Sequence, residues 1–243
     1  MGNPAATIVR IPRRRRRTVD PAHPVYEIDL WLVDSEPLIW RSLAVSADVT
    51  LDGLHRLIQA VMEWHESHLH QFETRSGRRF EPATPVGGVD AMWGWLRGDD
   101  RESEDEARIT VRNIFEDLKQ TVSYLYDFGD GWEHGIKLVD THADRCAFAQ
   151  LPVCLGGAHA GPPEDSGGVW GYREKLEIMR NPDPNDEWHR DVMEWIGGAR
   201  FDPEAFDIAA RNRRISAAWS RLSTLSASGN RRCGTKQRKR KSR

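Results

Sequence analysis

The chain has 243 residues, enough for one large domain or two small ones with a sizeable core. It contains no apolar run near the roughly 18–20 residues that cross a bilayer, and no apolar leader, which excludes a spanning helix or a signal peptide as a reading. Its net charge of −2 divides into +5 over residues 1–25, −19 over residues 26–210 and +12 over residues 211–243, so an acidic body carries two basic ends.

Arg13, Arg14, Arg15, Arg16 and Arg17 are consecutive and flanked by Pro12 and Pro21. Such a run cannot bury apolar area, so residues 1–24 are expected to form a disordered basic arm. Tyr26 to Leu32 alternates apolar and polar residues, the period of a half-buried strand, and Ser35-Glu36-Pro37 turns the chain into a partner strand over Leu38 to Val45. Leu54, Leu57, Ile58, Val61 and Met62 then fall on one helical stripe, with Thr50 or Asp52 as cap and an end near Trp64 or His65. His68 to Thr74 reads as a third strand. Gly77 to Glu106 reads as a Gly-, Pro- and acid-rich stretch, exposed over Asp99–Glu106 and pinned by Trp93 and Trp95.

Ile109 to Leu118 is expected to begin as a strand and finish as a short helix. Thr121–Phe128 and Trp132–Val139 are expected to be strands joined by Gly129-Asp130-Gly131, where glycine supplies positive φ. After Cys154 the apolar spacing turns helical, over Gly171–Met179, Asp186–Ile196 and Pro203–Trp219. Strands first and helices later predict an α+β fold, a mainly antiparallel sheet with helices on one face. The expected organisation is a basic arm (1–24), a single α+β domain (25–221) and a disordered basic tail (222–243). Cys146, Cys154 and Cys233 are too sparse for a disulfide framework and point to a reducing cytoplasm.

Three blocks concentrate turn formers, carboxylates and aromatics. Residues 65–70 read H-E-S-H-L-H, residues 124–134 read Y-L-Y-D-F-G-D-G-W-E-H, and residues 162–168 read P-P-E-D-S-G-G. In this order the blocks resemble the plasmid pRiA4b ORF-3-like family, over roughly residues 25–210. The resemblance implies a setting in plasmids and insertion elements, where members are labelled passenger proteins, and it favours a DNA-related role. It specifies no reaction. Some relatives carry a resolvase-like label, but the activated serine and arginine cluster of a serine recombinase are not recognisable here.

The same blocks supply the candidate site residues His65, His68, His70, Asp127, Asp130, Glu133, His134, Glu164 and Asp165. His68 and His70, two apart in a predicted strand, would project from one face. If the blocks converge, imidazoles and carboxylates of this kind bind Zn²⁺, Mn²⁺ or Fe²⁺. A structural reading stands beside this one. Asp127 and Asp130 can hold a turn by accepting backbone N–H groups, and Asp165 or Ser166 can cap a helix starting near Val169.

Other matches carry no chemistry. Asp127-Phe128-Gly129 lacks the glycine-rich and catalytic loops of a kinase, the cysteine spacing is not that of a zinc ribbon, and no G-K-[ST] follows the glycine pairs. Core packing is the expected place for most of Trp31, Trp40, Trp64, Trp132, Trp170, Trp188, Trp195 and Trp219. An aromatic platform for bases requires several of them exposed beside basic residues, which an acidic body disfavours.

Arg231, Arg232, Lys236, Arg238, Lys239, Arg240, Lys241 and Arg243 crowd the C-terminal end, and with Arg13 to Arg17 they are the expected nucleic-acid contacts, through counterion release and without sequence specificity. The leading expectation is a non-catalytic accessory protein of a plasmid or mobile element, with an acidic body and nucleic-acid-contacting tails. The alternatives are a metal-dependent hydrolase or nuclease using the His/Asp/Glu set, and a protein-interaction module whose acidic body meets a basic protein partner. Convergence of the three blocks favours the hydrolase; their dispersal removes it.

Overall fold

The structure is a computed structural model that describes residues 24–83, 103–115, 118–142, 148–197 and 200–223. The arginine arm, the C-terminal cations, Trp93, Trp95, Cys146 and Cys233 lie outside the described residues.

Strand β1 (Val25–Leu32) buries alternate residues, Ile28, Leu30 and Leu32, as its period requires. It pairs antiparallel with β2 (Trp40–Ser46), from Val25↔Ser46 to Trp31↔Trp40. Helix α1 (Leu51–Met62) buries Leu54, Leu57, Ile58 and Val61 along one stripe. Thr50 takes the N-cap position without a side-chain bond, and Glu63 ends the helix at φ 68. Next come β3 (His70–Thr74), β4 (Arg79–Glu81), β5 (Ser103–Asp105) and the short α2 (Val111–Ile114). The strands β6 (Thr121–Tyr126) and β7 (Trp132–His142) form the predicted hairpin, and β8 (Val153–Ala158) follows. Helices α3 (Gly168–Arg180), α4 (Glu187–Trp195) and α5 (Ile208–Ser223) complete the order.

All eight strands join one sheet in the order β5-β4-β3-β6-β7-β1-β2-β8. Every pairing is antiparallel except β4 with β5. A single large hydrophobic cluster unites β1, β3, β6 and β7 with α1, α2, α3 and α5, through residues such as Leu57, Phe72, Tyr124, Trp132, Leu176 and Ile215. The fold is the expected α+β class. Among the described residues no helix is long and apolar enough to cross a membrane.

Four local expectations change. The stretch from Gly77 to Glu106 is not all exposed loop: Arg79–Glu81 and Ser103–Asp105 are strands, the second at the sheet edge, Phe80 is fully buried and Glu106 is buried against His70. Ile109 belongs to no strand; a 3-10 turn over Glu106–Arg108 precedes α2. Val153–Ala158 is a strand whose two glycines disguise its period, and the last helix runs over Ile208–Ser223 where Pro203–Trp219 was expected. Lastly, β3 starts at His70, so His68 precedes the strand and shares no face with His70. The partner strand dictates that start. Pairing begins at His70↔Tyr126 because Asp127 leaves β6 at φ 55, with its N–H bonded to Leu69 O.

Candidate functional site

The three sequence blocks meet at one end of the sheet. The connection after α1, the β6–β7 turn and the β8–α3 connection lie against one another through polar contacts between residues distant in sequence. Trp64 Nε1 donates to Pro162 O at 2.8 Å, and His65 Nδ1 lies 2.6 Å from Glu164 Oε2. Tyr126, at the last position of β6, donates its hydroxyl to Glu164 Oε1 at 2.6 Å and accepts the Ser67 N–H at 3.1 Å. Asp130 Oδ2 accepts the Gly167 N–H at 3.0 Å. The Trp64 ring stacks on Tyr126 with centroids 5.0 Å apart, an apolar floor beneath the polar contacts.

His68, Asp127 and Asp165 come together at this junction. His68 Nδ1 is 3.6 Å from Asp127 Oδ2, and His68 Nε2 is 3.5 Å from Asp165 Oδ1. Asp127 does two things at once. Its Oδ1 accepts the N–H groups of Gly129, at 2.9 Å, and of Asp130, which holds the turn as the structural reading expected, while Oδ2 faces His68. Asp165 does not cap a helix. The N-cap of α3 is Gly167 at φ 78, with no side-chain cap bond, and Ser166 Oγ turns back to Pro163 O. The Asp165 side chain therefore stands out from the helix start at 74% exposure, while that of Asp127 is 12% exposed.

Backbone strain concentrates here. Of the seven non-glycine residues with positive φ among those described, five, Glu63, Glu66, Asp127, His159 and Asp165, lie in these three connections. Each costs of order 1–3 kcal/mol and persists because the surroundings over-determine it. Gly168, at φ 68, belongs with them: a Cβ there would run into the Asp130 carbonyl oxygen.

Neighbouring groups are tuned by the same packing. Burial works against ionisation of Glu164, yet hydrogen bonds from Tyr126 and His65 hold its carboxyl below the usual range. Burial, reinforced by the Glu164 acceptor, pushes the Tyr126 phenol well above its ordinary value. Glu164 is thus a fixed carboxylate and Tyr126 a fixed donor.

The remaining candidate residues point elsewhere. His70 is buried, 2.9 Å from Glu106 and stacked on His55 at 3.5 Å between centroids. The carboxylate of Glu133 lies at the surface, accepting from Ser123 Oγ at 3.2 Å. His134 is fully buried opposite Tyr124, and burial depresses its pKa to about 3. Asp130 ties the turn to α3 and is not among the atoms that surround His68. A second group of ligand-type side chains, Glu27, Asp140 and His142, lies across β1 and β7.

Core packing holds for most of the eight tryptophans, and three are exceptions: Trp170, Trp188 and Trp195 are 70%, 50% and 46% exposed. Two of them, with Lys175, line a groove that begins at Asp165. Their spacing on α4, with the buried Val192 between, has the helical interval of a core stripe.

The plasmid pRiA4b ORF-3-like family model matches residues 24–210. An uncharacterized protein, y4hQ, of Sinorhizobium fredii is 32% identical over 201 residues, covering 81% of this chain and 95% of its own length. A crystal structure of a protein of unknown function, MM3350 from Methanosarcina mazei Go1, is similar with a TM-score of 0.63 and 33% identity, covering 77% of this chain and 97% of that one. The span of the family model contains all three blocks. The chain belongs to the plasmid pRiA4b ORF-3-like family.

Proposed function

We propose that the junction is a divalent-cation site of the hydrolase type, with His68, Asp127 and Asp165 as ligands. One observation carries this reading: three blocks far apart in sequence converge so that ligand atoms of these residues all lie within 4.8 Å of one another. The spacings suit a cation better than a direct bond. Separations of 3.5 and 3.6 Å are long for an imidazole–carboxylate hydrogen bond. The two carboxylates face different ring nitrogens, so only one of these spacings at a time, close to the ~3.4 Å edge of a tetrahedron with arms of about 2.1 Å, belongs to a single zinc-type ion, and the second carboxylate reaches that ion by a side-chain rotation.

Three protein ligands and the exposed Asp165 leave coordination positions open to water, which separates catalytic from closed structural sites. A cation so held supplies Lewis acidity and makes bound water acidic enough to serve as a nucleophile. Glu164, ionised beside Asp165 in the chain, offers a fixed acceptor at the rim, and Tyr126 orients it. The test is calorimetric titration of the full chain with Zn²⁺. The expected result is one ion per chain at this site, at least hundredfold weaker in His68→Ala, with affinity retained in His70→Ala. Equal affinity in wild type and His68→Ala removes the reading.

The charge partition supports a second reading, for the ends of the chain: nucleic-acid contact by the basic tails, as in an accessory protein of a mobile element. Deleting residues 224–243 removes eight cations. Binding to duplex DNA is expected to weaken for every sequence alike. The slope of log affinity against log salt falls by about 0.9 for each phosphate that the shortened chain no longer neutralises. An unchanged slope rules out the tail as the DNA-binding element.

A further inference from the structure

We propose that the groove running from Asp165 along α3 and α4 binds a nucleoside phosphate, its ring on Trp188 and Trp195 and its phosphate between Lys175 and the cation site. The proposal rests on the metal reading of His68, Asp127 and Asp165 and names the ligand class of that same site. The groove, of about 270 Å³, is lined by Asp165, Lys175, Trp188, Asp191, Val192 and Trp195. Asp165 is thus at once a wall of the groove and a candidate metal ligand. Groove and cation site are continuous.

The chemistry of the walls selects the occupant. Trp188 and Trp195 are seven residues apart on α4, two turns along one face, and Val192 between them forms a buried floor. Both indoles are about half exposed, with the Lys175 ammonium 5.7 and 5.4 Å from their ring centroids. Lys175 Nζ also donates to Ser166 O at 3.0 Å, which fixes the ammonium one residue along the chain from Asp165. An exposed indole pair offers stacking area to any flat ring, and an ammonium beside a cation attracts an anion. One molecule that satisfies both demands across so short a groove carries a planar base and a phosphate. Asp165 and Asp191 are carboxylates in the groove wall itself. They disfavour a long polyanion and leave the phosphate of a mononucleotide, directed at Lys175 and the cation, as the favourable charge.

The experiment uses the full chain with Zn²⁺ bound, titrated with adenosine monophosphate and followed by tryptophan fluorescence and calorimetry. Trp188→Ala with Trp195→Ala is expected to weaken binding tenfold or more while Zn²⁺ affinity stays unchanged, because neither indole touches the ligand set. Lys175→Met is expected to weaken the nucleotide to a similar degree. Adenosine and ribose 5-phosphate, each lacking one half of the ligand, are expected to bind at least tenfold more weakly than the nucleotide. If Zn²⁺ binds but the nucleotide does not, or binds equally to wild type and both variants, this proposal is overturned and the metal site stands. Preference for a neutral oligosaccharide or a single-stranded oligonucleotide over the mononucleotide also overturns it. If Zn²⁺ itself fails to bind, the metal reading and this one fall together.

Discussion

Gly168→Ala is expected to destabilise the protein by about 2–6 kcal/mol, a large effect for one methyl group. Two costs add. Alanine at φ 68 occupies the left-handed region, a strain of order 1–3 kcal/mol. Its Cβ also meets the Asp130 carbonyl oxygen, backbone that can yield only if the turn and the start of α3 separate, and forced overpacking costs about 1–3 kcal/mol. At roughly 2–4 °C per kcal/mol for a domain of this size, the melting temperature falls by about 10 °C. Gly197→Ala is the control. Gly197 has φ 85 but nothing within 4 Å of an added Cβ, so it carries the strain without the collision and its effect is expected to be smaller. Equal melting temperatures for Gly168→Ala and wild type would mean that the turn and α3 are not pressed together, and the junction would lose its support.

The second large effect is a loss of stability in mild acid that originates in the core. His134 is fully buried, its Nδ1 is 3.1 Å from Trp132 O and its Nε2 makes no hydrogen bond among the described residues. Desolvation lowers its pKa from 6.5 to about 3. Between those values the unfolded chain binds a proton that the folded chain does not, so stability falls as the pH falls. The full contribution is present above pH 6.5. By pH 5 about 2 kcal/mol is lost, at 1.36 kcal/mol per unit. His55, buried and stacked on His70, is shifted in the same direction by desolvation and by that neighbour, and adds to the slope. Urea denaturation of wild type and His134→Phe at pH 7.5 and pH 5 measures the effect. The variant is expected to lose about 2 kcal/mol less than wild type between the two pH values, the His134 share, with that of His55 remaining. An identical pH dependence in both proteins would contradict burial of a neutral imidazole.

Much of this architecture is legible residue by residue. The β1–β2 hairpin, α1 and the β6–β7 hairpin stand out because each buries one face and so writes its period into the sequence. The strands β4 and β5 have three residues each, too short to display a period. In β8, Gly156 and Gly157 remove the side chains that would have shown one. In the turn, Gly131 at φ 69 fits the expectation of a left-handed glycine, but Gly129 does not; Asp127 takes the other left-handed position and bonds across the turn.

The candidate site is visible in the sequence as three blocks but not as a junction. What joins them is long-range: Trp64 to Pro162, His65 and Tyr126 to Glu164, and Asp130 to Gly167. Which histidine faces the carboxylates depends on where β3 begins, and its partner strand sets that point. The helical interval of Trp188 and Trp195 imitates a core stripe. Nothing in the local sequence records that both indoles stay about half exposed.

The central claim is that His68, Asp127 and Asp165 hold a divalent cation, and a zinc-edge anomalous difference map from crystals soaked in Zn²⁺ tests it most directly. The predicted result is one strong peak about 2.0–2.2 Å from a His68 ring nitrogen and from carboxylate oxygens of Asp127 and Asp165. A map with no peak there, or with a peak only at Glu27, Asp140 and His142, would contradict the account.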